Sequence, residues 1–349
     1  MHGKPLVRII RLCREIDETA GVIYARLSRK CSDRELSGFW QQMSDQEAEH
    51  VSFWRRAEQF EGIDDIPIPF AQPAKVILDL NKALTRSRDL LDRCDEDVGI
   101  SKAFILAYRM EFYLLHPAFK MLFHLLGPSA GGTNPEDEYD SHIDGFITML
   151  SERGNVTPEL ELLGETLQSL WRENKELALQ ATQDSLTEVF NRRGFFTFSV
   201  QFAYLAHRTG STLAAMMIDL DHFKSINDHY GHAAGDRVIR GTARIISEQL
   251  RTSDIVGRYG GEEFIVLLPQ VSSGATAKVA EKIRSSIEQR PPEGVPLSVS
   301  IGFAEARLSD RVREDYQELI RKADAALYQA KERGRNTIVE YLPQGDPAP

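Results

Sequence analysis

The sequence predicts two domains of different class joined by a helix: an all-helical N-terminal half and an α/β C-terminal half. Three patterns point there. Apolar residues keep a 3.6-residue period from residue 7 to about 151, leucines fall at a 3-4 spacing after Pro158, and from Asp184 onward short β-rich runs alternate with helical stretches. At 349 residues the chain is long enough to bury two cores.

In the first half the periodicity breaks near residues 31–33, 66–73, 94–99 and 127–135, which predicts a helical sensory bundle over residues 1–156. Leu160, Leu163, Leu167, Leu170, Asn174, Leu177 and Ala181 then form a heptad seam, so residues 157–183 are expected to be a coiled-coil signalling helix. With Leu163, Leu170 and Leu177 at d, Asn174 falls at a, where one buried amide pairs with its twin in a parallel dimer. A homodimer is therefore expected; the alternative is a single amphipathic helix packed on its own bundle. Residues 184–341 follow as the α/β domain, with strands over 213–220, 263–269 and 297–305 and helices over 194–207, 236–249, 275–289 and 316–333, before a polar tail at 342–349.

Charge and hydropathy exclude some functions. A formal charge of -10 opposes a polyanion-binding surface, so nucleic acid is not expected as a partner. No apolar run reaches the ~18 residues of a membrane span, and the first residues lack the apolar core of a signal peptide, so a cytoplasmic protein is expected. Cys13, Cys31 and Cys94 are odd in number, lack metal-ligand spacing and read as reduced thiols.

Residues 254–269 read DIVGRYGGEEFIVLLP, two strands joined at Gly260-Gly261, where glycine is expected because tight hairpin turns require positive φ. Glu262 and Glu263 follow at the start of an apolar strand, a poor position for charges that serve only solubility. Asp219 and Asp221 flank the end of the run at 213–220. Carboxylates at the ends of neighbouring strands can hold Mg²⁺, which takes hard oxygen ligands and substrate phosphates.

These segments resemble the GGDEF domain of diguanylate cyclases. GGEEF stands at 260–264, with DSLTEVFNRRGF at 184–195, IDLDHFKSINDHYGHAAGD at 218–236, SVSIGFAE at 298–305 and KADAALYQAKERGRN at 322–336. Five blocks in order cover residues 184 to about 339. Glu188 departs from the pattern, where the family usually carries glycine. The resemblance implies a ferredoxin-like βαββαβ palm that condenses two GTP to cyclic di-GMP and two pyrophosphates.

It further implies that Asp219, Glu262, Glu263 and the Leu220 carbonyl hold Mg²⁺ (or Mn²⁺), and that Asn227 and Asp236 read guanine. Lys224, Lys331 and Arg335 would meet the phosphates, with Lys224 stabilising the transition state, and His232 lies in the substrate block. The family commonly assigns Glu262 as base, although a carboxylate on Mg²⁺ is weakly basic. An ionised Asp accepts from guanine N1–H and its exocyclic amine, so ATP is expected to be a poor substrate. Arg251 and Asp254, in RTSD before the hairpin, match the family's inhibitory product site, while Lys282 stands where another Arg is often found. One GTP per domain requires two domains to meet, which gives the heptad helix a purpose. The rival reading is a catalytically inactive cyclic di-GMP receptor; intact Asp219, Lys224, Asn227, Asp236, Glu262 and Glu263 oppose it.

In the first half, Glu47-x-x-His50 places two ligand types on one helix face. This region resembles the first helix pair of rubrerythrin-like proteins, and ferritin-like bundles combine single glutamates with Glu-x-x-His pairs around two irons. The resemblance implies two Fe with Glu18, Glu47, His50, Glu111, Glu138 and His142 as ligands, and a sensor of oxygen, peroxide or redox state. Two departures are visible: Glu138 and His142 are four apart, and Asp17 or Glu15 could replace Glu18. The alternatives are charges that only solvate a bundle, or a bundle that is itself a di-iron oxidase or peroxidase.

Overall fold

The computed structural model describes residues 5–94, 99–130, 135–153, 158–272 and 274–342, except for the side chains of 128–130, 136–141, 153 and 158–161. It divides into two compact units, Met1–Leu179 and Gln180–Pro349.

The first unit holds α1 (Pro5–Lys30), α2 (Arg34–Glu58), α3 (Pro73–Arg93), α4 (Ile100–Leu114), α5 (Pro117–Ala130), α6 (Pro135–Arg153) and most of α7 (Pro158–Thr182). Asp33 starts α2 by accepting from the backbone N–H groups of Glu35 and Leu36 at 2.9 and 3.0 Å. One break escapes the periodicity: α4 ends before Pro117, whose ring cannot continue a helix, and α5 begins there. The core is aromatic. Trp40, Trp54, Phe53, Phe104, Phe119 and Phe123 are fully buried, and Trp54 stacks on Phe123 at 4.6 Å between centroids.

The helix predicted as a dimeric coiled coil packs one face on its own unit. Leu167 and Trp171 of α7 are buried, the Lys120 ammonium of α5 lies 4.9 Å from the centre of the Trp171 ring, and Asn174 Nδ2 donates to the Leu115 carbonyl at 2.5 Å. The amide expected to pair with its twin is thus engaged within the chain, because a helix C-terminal carbonyl needs a donor once α4 stops. Beside that face lie Leu163 and Leu170, half-buried, while Leu162 and Leu177 are 63% and 48% exposed.

The second unit builds α8 (Arg192–Thr209), β1 (Thr212–Leu220), α9 (Phe223–Tyr230), α10 (His232–Glu248), β2 (Ile255–Arg258), β3 (Glu263–Leu268), α11 (Ala275–Gln289), β4 (Val299–Arg307), α12 (Val312–Glu332) and β5 (Ile338–Glu340). The sheet order is β2-β3-β1-β4-β5, antiparallel throughout except for β5 on β4. The first four strands with their helices are the expected βαββαβ palm, and β5 extends its edge. Short α9 and three-residue β5 carry too little periodicity to be read from sequence. Central β1 is buried on both faces, which explains its unbroken apolar run. Ala214, Met216, Ile218 and Leu220 share one core with α10 and α11. The odd-numbered positions face the other way, so Asp219 is delivered to the face where Lys331 of α12 meets it.

Candidate functional site

Register positions the carboxylates. β1 and β3 place Asp219 opposite Glu263, and the Leu220 N–H donates to the Glu262 carbonyl at 3.3 Å. Lys331 Nζ completes the group 2.8 Å from Asp219 Oδ2. Burial raises the Asp219 carboxyl above its usual range, and the hydrogen bond from Lys331 offsets this only in part. Burial and then the Asp219 charge raise Glu263 as well. An all-oxygen acidic cluster that already attracts an ammonium fits a hard divalent cation.

The positive φ expected of the hairpin glycines is not found. Neither Gly260 nor Gly261 has positive φ. A Cβ on Gly260 would lie 2.7 Å from Glu263 Oε2, so a side chain there would oblige that carboxylate to shift. The Gly261 carbonyl accepts from Arg258 Nε and Nη2 at 3.1 and 2.8 Å, while Arg258 Nη1 donates to Asp184 Oδ1 at 3.1 Å. Partial burial alone would raise Asp184, but hydrogen bonds from Thr187 and Arg258 outweigh it and hold the carboxyl below its usual range. The DSLTEVF block thus braces the GGEEF turn, a role its sequence does not disclose.

Asp221 leaves the candidate metal set. It is 4% exposed, accepts from Ser298 Oγ and Ser300 Oγ at 2.7 Å each and from the Asn336 N–H at 3.0 Å, and so ties β4 to the turn after α12. The sequence signal for this was the pair of serines in SVSIG, which share a strand end with Asp221.

Asn227 lies in the last turn of α9 and Asp236 just past the first turn of α10, and a Cβ on the neighbouring Gly235 would lie 1.9 Å from Asn227 Oδ1. Asp236, His232 and Lys224 are exposed on these two helices, and exposed Arg335 follows α12 at φ +66°. Arg335 adds positive charge that lowers the Asp219 carboxyl. Asp254 closes the RTSD turn by accepting from the Arg251 N–H at 2.8 Å, while Arg251 and Lys282 are exposed.

The first unit gathers a second cluster in its interior. Asp17, Glu47 and His50 form one group and Glu47, Glu111 and His142 another, with donor atoms within 4.8 Å of one another in each. All five residues are at most 4% exposed. Glu18 is corrected: its carboxylate accepts from Arg14 Nη1 at 2.8 Å and Arg55 Nη2 at 3.1 Å at the surface, and Glu15 pairs with Arg88 at 3.0 Å. The reason is angular. Cys13, Ile16, Asp17, Ala20 and Tyr24 lie on the buried stripe of α1, and position 18 is turned about 100° from position 17. The side chain of Glu138 lies outside the described residues.

Residues 181–337 match the family model for the diguanylate cyclase GGDEF domain. Over 195 residues the chain is 38% identical to Diguanylate cyclase DosC of Escherichia coli (strain K12), covering 54% of this chain and 40% of that protein. Over 172 residues it is 38% identical to Diguanylate cyclase A of Treponema denticola, covering 47% and 46%. The chain thus spans less than half the length of these curated relatives. Among solved structures, the coiled coil and GGDEF domain of DgcB from Caulobacter crescentus in complex with c-di-GMP matches at TM-score 0.47 and 31% identity, covering 52% of this chain and 98% of that one.

Proposed function

Because residues 181–337 form a GGDEF domain, we propose that this chain is a diguanylate cyclase that condenses two GTP into cyclic di-GMP and releases two pyrophosphates. The observation that carries this reading is the acidic group at the β1–β3 junction, with Asp219 opposite Glu263, Glu262 beside the end of β1, and Lys331 on Asp219.

Asp219, Glu262, Glu263 and the Leu220 carbonyl would hold Mg²⁺ (or Mn²⁺), which when bound neutralises triphosphate charge and favours pyrophosphate departure. Asn227 and Asp236 bind and orient the guanine across the α9–α10 junction, where Gly235 leaves room for the Asn227 amide. Lys224, Lys331 and Arg335 meet the phosphates, and Lys224 stabilises the charge that develops as the 3′-hydroxyl of one GTP attacks the α-phosphorus of the other. Positioning and charge neutralisation suffice for such chemistry without a covalent intermediate.

One domain presents one nucleotide, so two chains must face each other, and the d-position leucines of α7, with Leu177 exposed and Leu163 and Leu170 half-buried, support a parallel homodimer through that helix. The helical first unit is the regulatory input. The RTSD turn, with Arg251 exposed beside Asp254, supports product inhibition by bidentate recognition of guanine and phosphate. The test is cyclic di-GMP formation by the full chain from Mg²⁺-GTP, followed by chromatography. Product from the wild type and none from Asp219→Ala or Glu262→Ala supports the reading; absence of product from the wild type would favour the receptor.

A further inference from the structure

Three carboxylates and two imidazoles lie together in the interior of the first unit, on four different helices. Asp17 Oδ1, Glu47 Oε1 and Glu111 Oε2 are each buried without a hydrogen-bond partner. Each of these residues also has a second oxygen that is held or faced by a neighbour. Trp54 Nε1 donates to Asp17 Oδ2 at 2.6 Å, the Tyr24 hydroxyl donates to Glu111 Oε1, and His50 Nδ1 lies 3.1 Å from Glu47 Oε2. His142 sits with Nδ1 3.0 Å from Gln46 Oε1 and Nε2 turned toward Glu111 and Glu47, at 3.1 and 3.8 Å.

Left to themselves, these groups are in conflict. Leaving a buried carboxylate oxygen without a donor is costly, and leaving three of them together is more so. Burial raises the Asp17 and Glu47 carboxyls, and burial lowers His50 to about 4. Native interiors rarely keep such an arrangement unless a ligand satisfies it. The outer partners, Trp54, Tyr24 and Gln46, are of the kind that fix the orientation of metal ligands. Glu47 belongs to both groups of three, and each group supplies one imidazole, so the cluster has the composition of two linked sites. Carboxylate and imidazole without thiolate suits Fe²⁺, Mn²⁺ or Zn²⁺.

We propose that Asp17, Glu47, His50, Glu111 and His142 form a dinuclear centre for first-row divalent metal ions, with Glu47 as the ligand common to both ions. Asp17, not Glu18, is the ligand from α1. The centre is connected to α7 by packing: the Phe123 ring of α5 lies 5.6 Å from that of His50, and Lys120 of the same helix lies over Trp171. The inference is independent of the cyclase reading, since it concerns binding in the other unit.

The test is metal content. The full chain is stripped of metal, loaded anaerobically with ferrous ammonium sulfate, desalted and analysed by inductively coupled plasma mass spectrometry, with Mn²⁺ and Zn²⁺ run in parallel. Two irons per chain are expected for the wild type and for Glu18→Ala, about one for His50→Ala and for His142→Ala, and a loss of both for the near-isosteric Glu47→Gln. Circular dichroism identifies any variant that fails to fold, and in that case the wild-type stoichiometry and its thermal shift with Fe²⁺ decide. Fewer than two ions per wild-type chain with every one of the three metals overturns the proposal, as does full loading of folded Glu47→Gln.

Discussion

Lys331 Nζ lies 2.8 Å from Asp219 Oδ2, joining the helix before the last strand to the central strand of the sheet. This ammonium is the positive charge nearest to a carboxylate whose partial burial would otherwise favour its neutral form. Lys331→Met keeps the stem and removes the charge. A hydrogen bond between charged groups is worth about 1.5 to 3 kcal/mol, so kcat/KM for GTP is expected to fall about 10- to 100-fold with the fold intact. Steady-state kinetics with circular dichroism checks this; unchanged kcat/KM would remove Lys331 from the site.

Gly235 and Asn227 form a steric pair. Gly235→Ala places a methyl group where Asn227 Oδ1 now lies, at 1.9 Å, and the amide must leave. The KM for GTP is expected to rise about 10-fold, the scale of one lost hydrogen bond to the base. The double variant Gly235→Ala/Asn227→Ala should be no worse than Asn227→Ala alone, because both changes remove the same contact. Additive losses would mean that Gly235 acts on something else.

Glu188 adopts φ +62° in the turn that Asp184 closes, a left-handed conformation that costs a side chain-bearing residue about 1 kcal/mol or more. That is the physical reason glycine suits this position. Glu188→Gly is expected to gain a net ~0.5 to 1 kcal/mol after the added freedom of the unfolded chain, or about 2 °C in the calorimetric transition of the second unit. A lower transition temperature would show that the Glu188 side chain contributes more than its backbone strain costs.

The outer face of α7 is the proposed seam. Leu170→Glu/Leu177→Glu leaves buried Leu167 and Trp171 untouched and introduces like charges along both helices of a parallel pair. Light scattering should show a shift from dimer to monomer, and specific activity should then rise with protein concentration. A dimer that persists in the double variant would place the contact elsewhere.

Much of this protein is legible in its sequence because its signals are local or ordered. The change from 3.6-residue periodicity to alternating strands falls at Asp184 in the sequence, and the structure divides between Leu179 and Gln180. Five motif blocks in order specify the GGDEF domain and its βαββαβ palm, and Asp219, Glu262, Glu263, Asn227 and Asp236, to which the proposed chemistry is assigned, all stand within those blocks. Glu47, His50, Glu111 and His142 are recognisable as ligand types at helical positions, but in the first helix the sequence reading favours Glu18, and the structure buries Asp17 instead.

Only the tertiary structure decides among residues of the same type. Asp219 and Asp221 differ by two positions, yet register and side-chain direction send one to Lys331 and the other into a hydrogen-bonded clamp of Ser298, Ser300 and Asn336. Asp17 and Glu18 differ by one position, and helical rotation buries the first while Arg14 and Arg55 hold the second at the surface. Asn174 fits a dimer seam by spacing, but its amide is claimed by the Leu115 carbonyl of its own chain. In each case composition and spacing supply the chemical group. Long-range packing then fixes which neighbours it meets, because burial and direction depend on elements far apart in the chain.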